Sequence, residues 1–106
     1  MWEFEGDPAH NRRFLIIGRG KPEASPPYDS LRLGYRQFAG GYRRRLIACG
    51  PLLSDDGVAW VGGVILAEVP DRAAVDALLE HDPGAQAALY QSVEIHHWRF
   101  GGRPTA

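Results

Sequence analysis

A glycine-rich stretch, Gly18-Arg19-Gly20-Lys21-Pro22, directly follows the apolar run Phe14–Ile17. Glycines after a strand can bring backbone amides close to an anion, so a phosphate-binding loop is one interpretation. That motif needs either a third glycine or a Gly-Lys-Ser/Thr ending, and this stretch has neither. A proline-rich loop follows instead of a helix start. We therefore interpret the stretch as a strand end that forms the edge of another kind of site.

The four histidines are the residues best suited to proton transfer near neutral pH. His10 lies in a polar N-terminal segment and is predicted to be solvated. His81 is predicted to end a helix, where the helix dipole favours a cation. His96 and His97 are adjacent in a predicted strand and must face opposite sides of a sheet, so they cannot chelate one metal ion together. We predict no metal site and no cofactor, and His97 remains a candidate for catalysis.

Two other residues have titratable side chains that could carry chemistry. Asp82 precedes Pro83, which is the pattern of a helix N-cap followed by proline at the first helical position. A role for Asp82 as a general acid is the alternative. Cys49 is the only cysteine, and its apolar surroundings predict a buried thiol that reacts slowly.

Two arginines and three aromatic residues are candidates for ligand binding. Arg19 lies at the end of the first strand, and Arg36 lies in the first helix one turn before Ala39. Both are either solvated or line a cleft, where a guanidinium can hold a carboxylate through two hydrogen bonds. Tyr35 could wall an aromatic pocket together with Trp60 and Trp98, although core or interface positions are the alternative for each of them.

The order of predicted elements is β-α-β-β-α-(α)-β, which is typical of an α+β protein with a ferredoxin-like split βαβ fold and an antiparallel sheet. Apolar periodicity and capping residues define these elements. The predicted strands are 14–17, 46–53, 58–69 and 91–100. The first helix begins at Asp29 or Ser30 and buries Leu31, Tyr35, Phe38 and Tyr42. A second helix follows Asp71, and a short third helix is predicted at 83–90. The helices would cover one face of the sheet, so a second copy of the chain is the expected cover for the other face.

Size and charge limit the classes of function. The 106 residues suit one domain, and 12 basic against 13 acidic residues give a formal net charge of −1. This balance argues against nucleic acid and anionic membranes as partners. The basic run Arg43–Arg45 is interpreted as the solvated end of a helix. No apolar stretch reaches the length of a membrane helix, no signal-peptide pattern is present, and a single cysteine suits a reducing compartment, so we expect a cytoplasmic protein.

Four segments together resemble the YCII-related (YciI-like) family of the dimeric α+β barrel superfamily. They are FLIIGRGKP, then ACGPLLSDDG followed by VGGVILAEVPDRAAVDALLEHDP, then AALYQSVEI, and finally HHWRF. The resemblance implies a ferredoxin-like fold, a homodimer with face-to-face sheets, and a cleft near the start of the first helix. It also implies a family domain at 14–100, with an N-terminal extension at 1–13 and a tail at 101–106.

The same resemblance shows where this chain departs from the family. Members with suspected chemistry carry an aspartate in a stretch similar to G-R-D-K-P and a histidine in a stretch similar to R-x-x-H-x-x-Y. Gly20 and Ala39 stand at the matching positions of this chain. We therefore expect a small dimeric protein that binds an anionic or aromatic small molecule in the cleft without the family's dyad. The alternative is a lyase, isomerase or dehydrohalogenase-like enzyme with relocated catalytic residues, for which Asp82 and His97 are the candidates.

Overall fold

A computed structural model describes residues 12–24 and 28–98 and has the predicted α+β architecture. The elements are β1 Arg13–Gly20, α1 Tyr28–Gly41, β2 Leu46–Leu53, β3 Trp60–Glu68, α2 Arg72–Leu79, α3 Pro83–Gln86 and β4 Tyr90–Trp98. The four strands form one sheet in the order β2-β3-β1-β4, and every neighbouring pair is antiparallel. This is the ferredoxin-like fold that the order of elements predicts.

The sheet has one face covered by helices, which we call the helix face, and one open face. Phe14 and Ile16 of β1 and Ile65 and Ala67 of β3 point to the helix face and are buried. They pack against Phe38 of α1 and against Val75 and Leu78 of α2. A second, smaller cluster joins Leu31 and Tyr35 of α1 to Trp60 of β3. These two clusters hold all the helices on the same side of the sheet.

Capping residues fix the second and third helices where the sequence predicts them. The Asp71 side chain accepts a hydrogen bond from the Ala74 amide at 2.9 Å, and Asp82 does the same for the Ala85 amide at 3.0 Å. In the turn before β3, Gly57 has a φ of 76°, in the left-handed region that glycine favours.

Several predicted boundaries need correction. β1 extends through Gly20, because its hydrogen-bonded register with β3 and β4 continues past the apolar run. The backbone of α1 is helical from Tyr28, so Asp29 and Ser30 lie within its first turn instead of before it. β3 begins at Trp60, and α3 ends at Gln86. The positive φ of 55° at Ala88 turns the chain out of α3 and into β4, which therefore includes Tyr90.

The open face has a half-buried apolar centre and a charged border. Leu15, Ile17, Val64 and Leu66 share this face by the alternation of β1 and β3. The border at β4 includes Glu94 and His96. This is the surface on which the predicted homodimer would form, and the dimer stays a prediction.

Candidate functional site

A cluster of polar and aromatic side chains lies between the end of β1 and the first half of α1. Tyr35 of α1 and Tyr90 of β4 form a hydrogen bond between their hydroxyl oxygens at 2.7 Å. The indole ring of Trp60 stacks on Tyr90, with ring centroids 6.0 Å apart and an interplanar angle of 14°. The carboxyl group of Asp82 completes what we call the cleft cluster, defined as Tyr35, Trp60, Asp82 and Tyr90. It lies between the first strand and the first helix, where the resemblance implies a cleft, and the cleft itself stays a prediction.

Asp82 is the most deeply buried ionisable residue of this cluster. Its side chain is 1% exposed, and its Oδ2 accepts a hydrogen bond from the Ala85 amide at 3.0 Å. Oδ1 is buried without a hydrogen-bond partner within the part of the chain that the structure describes. Burial raises the pKa of Asp82, although the Ala85 amide and the Tyr90 hydroxyl offset part of that effect. Asp82 is therefore both the predicted N-cap and a carboxyl group whose protonated form is favoured.

The two tyrosine hydroxyls are held in their neutral form. Burial is the main cause that raises the pKa of both Tyr35 and Tyr90, and the nearby Asp82 carboxylate raises it further. Trp60 adds a second unpartnered polar atom, because its buried Nε1 has no hydrogen-bond acceptor among the described residues. The cleft cluster thus combines neutral hydroxyl groups, a buried carboxyl oxygen and an indole N–H donor.

Glycines make room for the two large rings. A Cβ atom at Gly18, Gly63 or Gly84 would collide with Tyr90. At Gly20 it would lie 2.5 Å from Cζ3 of Trp60 and 3.1 Å from the carbonyl oxygen of Val61. The glycines at the end of β1 therefore leave the space that the rings of Trp60 and Tyr90 occupy. This packing accounts for the glycine-rich stretch without a phosphate-binding loop.

Trp60 fills the position at which the resemblance places the family's aspartate. The indole ring lies where a side chain of residue 20 would begin. Ala39 lies on α1 one turn after Tyr35, about 6 Å further along the helix axis and on the same face. Neither position carries a group that could act as a base, and position 20 has no space for one while Trp60 keeps this rotamer.

Arg19 lies on the other side of the sheet from this cluster. Strand alternation directs it to the open face, where its Nε donates to Oε1 of Glu94 at 3.2 Å. This ion pair lowers the pKa of Glu94, and His96, 3.6 Å from the second carboxylate oxygen, lowers it further. The predicted position of Arg19 on the wall of the cleft is corrected accordingly, whereas its role in ligand binding stays a prediction.

The remaining candidates are spread over the molecule. Arg36 is exposed on the solvent side of α1, so it does not line the cleft cluster either. His97 stacks on Phe14, with ring centroids 4.8 Å apart. It lies seven residues after Tyr90, about 23 Å along β4, so His97 and Asp82 do not share a site. Trp98 pairs in register with Arg13 at that same far end, which removes it from the predicted aromatic wall.

Cys49 is half-buried and lies near both core clusters. Burial, followed by the charge of Asp82, raises the pKa of its thiol, which fits the predicted slow reactivity. His81 lies beside Tyr42 at a ring-centroid distance of 5.8 Å, near the end of α2. His10 lies outside the described residues.

Tyr90 is the member of the cleft cluster that the sequence did not predict. Tyr90 falls within the short helix predicted at 83–90, so the strand alternation of β4 is not applied to this residue. The signal that could have found it is the set of glycines at 18, 63 and 84, since glycines on three separate elements indicate one large ring packed between them.

The fold and this cluster define a small α+β domain with buried polar and aromatic side chains packed between its sheet and its first helix. The model of the YCII-related domain matches residues 12–99, and the chain belongs to that family. No curated protein matches the chain.

Solved structures share the architecture. One is 5-chloro-2-hydroxyhydroquinone dehydrochlorinase from Burkholderia phenoliruptrix AC1100, solved in complex with 2,5-dihydroxybenzoquinone. It has 20% sequence identity and a TM-score of 0.63, and the alignment covers 84% of this chain and 95% of that one. Another is an antibiotic biosynthesis monooxygenase with 23% identity and a TM-score of 0.48, over 79% of this chain and 92% of that one. At 20% identity the likeness to the dehydrochlorinase concerns the fold.

Two general features of the described residues bear on cofactors and membranes. Among them, no three histidine, cysteine, aspartate or glutamate side chains come together in a way that could hold a metal ion. None of the helices described is long and apolar enough to span a membrane.

Proposed function

We propose that this protein binds a small, neutral, hydroxylated aromatic molecule at the cleft cluster, without the histidine–aspartate dyad of its family. The observation that carries this proposal is the pair of buried, unpartnered polar atoms, Oδ1 of Asp82 and Nε1 of Trp60, on two residues that both adjoin Tyr90. Leaving such an atom unpaired costs about 1–3 kcal/mol. A hydroxyl group donates to a carboxyl oxygen and accepts from an indole N–H, so a phenolic ligand can satisfy both.

Charge favours a neutral ligand over an anionic one. Arg19 is on the open face and Arg36 is exposed to solvent, so neither offers its guanidinium to the cleft cluster. A carboxylate ligand would instead meet the buried Asp82, whose raised pKa reports surroundings that disfavour negative charge. The aromatic part of the earlier expectation is kept, and the anionic part is given up for this cleft.

Shape favours a single ring. Trp60 and Tyr90 are stacked, and Tyr90 is half-buried, so a planar ligand can extend the stack while the indole N–H stays available to it. The structural relative that was solved with 2,5-dihydroxybenzoquinone provides a precedent for such a ligand on this fold.

The test is calorimetric titration with resorcinol, a neutral diphenol, and with benzoate, an anion of similar size. We expect saturable binding of resorcinol and weaker or no binding of benzoate. Tyr35→Phe removes the hydroxyl and keeps the ring, and it should weaken resorcinol binding about fivefold to tenfold. Tyr42→Phe is the matched control because this tyrosine packs at the other end of α1, against Phe38. Resorcinol failing to bind the wild-type protein, or benzoate binding more tightly, would contradict the proposal.

A second candidate is an eliminating enzyme, such as a dehydrohalogenase, that uses Asp82. The raised pKa of Asp82 in the cleft cluster favours this candidate, because a carboxylate with a raised pKa is a stronger base than usual. Chloride release from a chlorinated hydroquinone would be measured for the wild-type protein, Asp82→Asn and His97→Ala. Turnover that is lost in Asp82→Asn and kept in His97→Ala would support elimination through Asp82, and no release by the wild-type protein would exclude it for that substrate.

A further inference from the structure

Two adjoining surface cavities lie beside the C-terminal half of α1 and contain none of the residues of the cleft cluster. One cavity of about 430 Å³ lies at the C-terminal end of α1 and is lined by Gly40–Arg45. A second cavity of about 280 Å³ lies between α1 and the segment at 81–86. The two share Gly41 and Tyr42. We call the two cavities together the α1 groove, with an arginine end at Arg43–Arg45 and an aromatic end at Phe38, Tyr42 and His81.

The arginine end concentrates positive charge that nothing neutralises in the described structure. All three arginines are exposed, and none forms an ion pair or a side-chain hydrogen bond with another described residue. The Glu68 amide donates to the Arg45 carbonyl oxygen at 2.7 Å, which fixes the turn against β3, while the Glu68 carboxylate pairs with Arg13 at 3.5 Å. In a chain of net charge −1, three guanidinium groups therefore keep their donors available at one place.

The aromatic end offers the rings of Tyr42 and His81, tilted by 39° to each other, beside those charges. The ring of Tyr42 lies 5.2 Å from that of Phe38 and 5.8 Å from that of His81, measured between centroids. Tyr42 is half-buried and belongs to both cavities, so it connects the arginine end with the aromatic end. A planar ring of a ligand can lie against one of these rings while its charged group reaches the arginines.

Two glycines keep the α1 groove open. A Cβ atom at Gly40 or Gly41 would meet nothing within 4 Å, and neither residue has a positive φ. Packing and backbone geometry thus do not require glycine here, although glycine within a helix costs about 1 kcal/mol relative to alanine. A larger side chain at either position would project into the groove.

We propose that the α1 groove binds a small molecule that carries a phosphate group on a planar ring. Three guanidinium groups match a phosphate, whose oxygens accept several forked hydrogen bonds at once, better than they match a single carboxylate. The ring packs beside Tyr42 and His81. This site shares no residue with the cleft cluster, and its ligand has the opposite charge requirement, so the two proposals stand or fall separately.

Calorimetric titration with phenyl phosphate and with inorganic phosphate tests this site. We expect both to bind and phenyl phosphate to bind more tightly. Replacing Arg43, Arg44 and Arg45 together by glutamine should weaken both by about tenfold or more. Arg72→Ala is the matched control, because Arg72 is an exposed arginine on α2 whose nearest carboxylate contact is 3.8 Å long.

His81→Ala separates the two ends of the groove, because His81 lines the cavity at the aromatic end and not the one at the arginine end. It should remove the advantage of phenyl phosphate and leave inorganic phosphate binding unchanged, and Gln37→Trp, at another residue that lines only the aromatic end, serves if circular dichroism shows that the first variant is misfolded. The proposal is overturned if neither compound binds the wild-type protein, if Arg72→Ala weakens binding as much as the triple variant, or if phenyl phosphate has no advantage over phosphate.

Discussion

Asp82 links stability to pH at the scale of single residues. Its folded-state pKa lies above the ordinary value of 3.8, so protonation favours the folded state. The stability from this preference is present below that value and is lost as the pH rises through the raised pKa. As the pH rises from 3.8 through the raised pKa, we therefore expect the free energy of unfolding of the wild-type protein to fall relative to that of Asp82→Asn, as measured by urea denaturation.

Asp71→Asn is the control for this measurement. Asp71 caps α2 as Asp82 caps α3, but it is exposed. The difference in the free energy of unfolding between Asp71→Asn and the wild-type protein should change less with pH than the difference for Asp82→Asn. A wild-type protein that gains stability over Asp82→Asn as the pH rises would contradict the account of Asp82.

Gly20 tests whether Trp60 really excludes a side chain at the position of the family's aspartate. Gly20→Ala should destabilise the protein by about 1–3 kcal/mol, because the new methyl group would lie 2.5 Å from the indole ring. Gly50→Ala is the matched control in β2, where a Cβ atom would meet nothing within 4 Å. Urea denaturation of both variants gives the comparison, and equal stabilities would mean that Trp60 moves away at little cost.

At the scale of elements, the glycines of α1 differ in what surrounds them. Gly40→Ala should stabilise the protein by about 0.5–1 kcal/mol, since alanine is the better helix former and the space is open. Gly34→Ala should stabilise the protein less than Gly40→Ala, because the new Cβ atom would lie 3.2 Å from Pro83. Thermal denaturation of the two variants checks the order, and a larger gain for Gly34→Ala would contradict it.

The elements themselves could be predicted because each has a local signal. Alternation and turn residues located β2 at 46–53 without error, and Asp71 and Asp82 marked the starts of α2 and α3. The end of α3 had no such signal, since PGAQAALY contains good helix formers and only tertiary contacts turn the chain at Ala88. Because of that error, the sequence did not predict that Tyr90 lies in the sheet, where it interacts with both Tyr35 and Asp82.

The face on which a side chain lies was harder to predict than the strand itself. Arg19 precedes Gly20 in a segment that resembles a site edge, but alternation sends the two residues to opposite faces. A residue at a strand end contributes to a cleft only if it lies an even number of residues from the buried positions, here Phe14 and Ile16, because only then does it share their face of the sheet. Applying that rule along β1 would have placed Arg19 on the open face from the sequence alone.

At the scale of the whole molecule, the open face predicts a homodimer. Leu15, Ile17, Val64 and Leu66 form an apolar centre there that the three helices, all on the other face, leave uncovered. Light scattering should give twice the chain mass of 11.7 kDa at micromolar concentration. Leu66→Glu should give monomers, because a charge would be buried without a partner.

Val58→Glu is the control for the dimer, since Val58 is 81% exposed in the turn before β3 and lies outside the open face. It should remain dimeric. A wild-type protein that is monomeric at this concentration, or a Leu66→Glu variant that stays dimeric, would show that the open face is not the interface.

The central claim is that a neutral hydroxylated aromatic molecule binds at the cleft cluster, and the indole N–H signal of Trp60 tests it most directly. In a ¹H–¹⁵N spectrum this donor, which has no acceptor among the described residues, should shift progressively as resorcinol is added, because it gains a hydrogen bond to a ligand oxygen. The signal of Trp98, at the far end of the sheet, should stay in place. A Trp60 signal that does not move while resorcinol binds, or a shift confined to Trp98, would contradict the account.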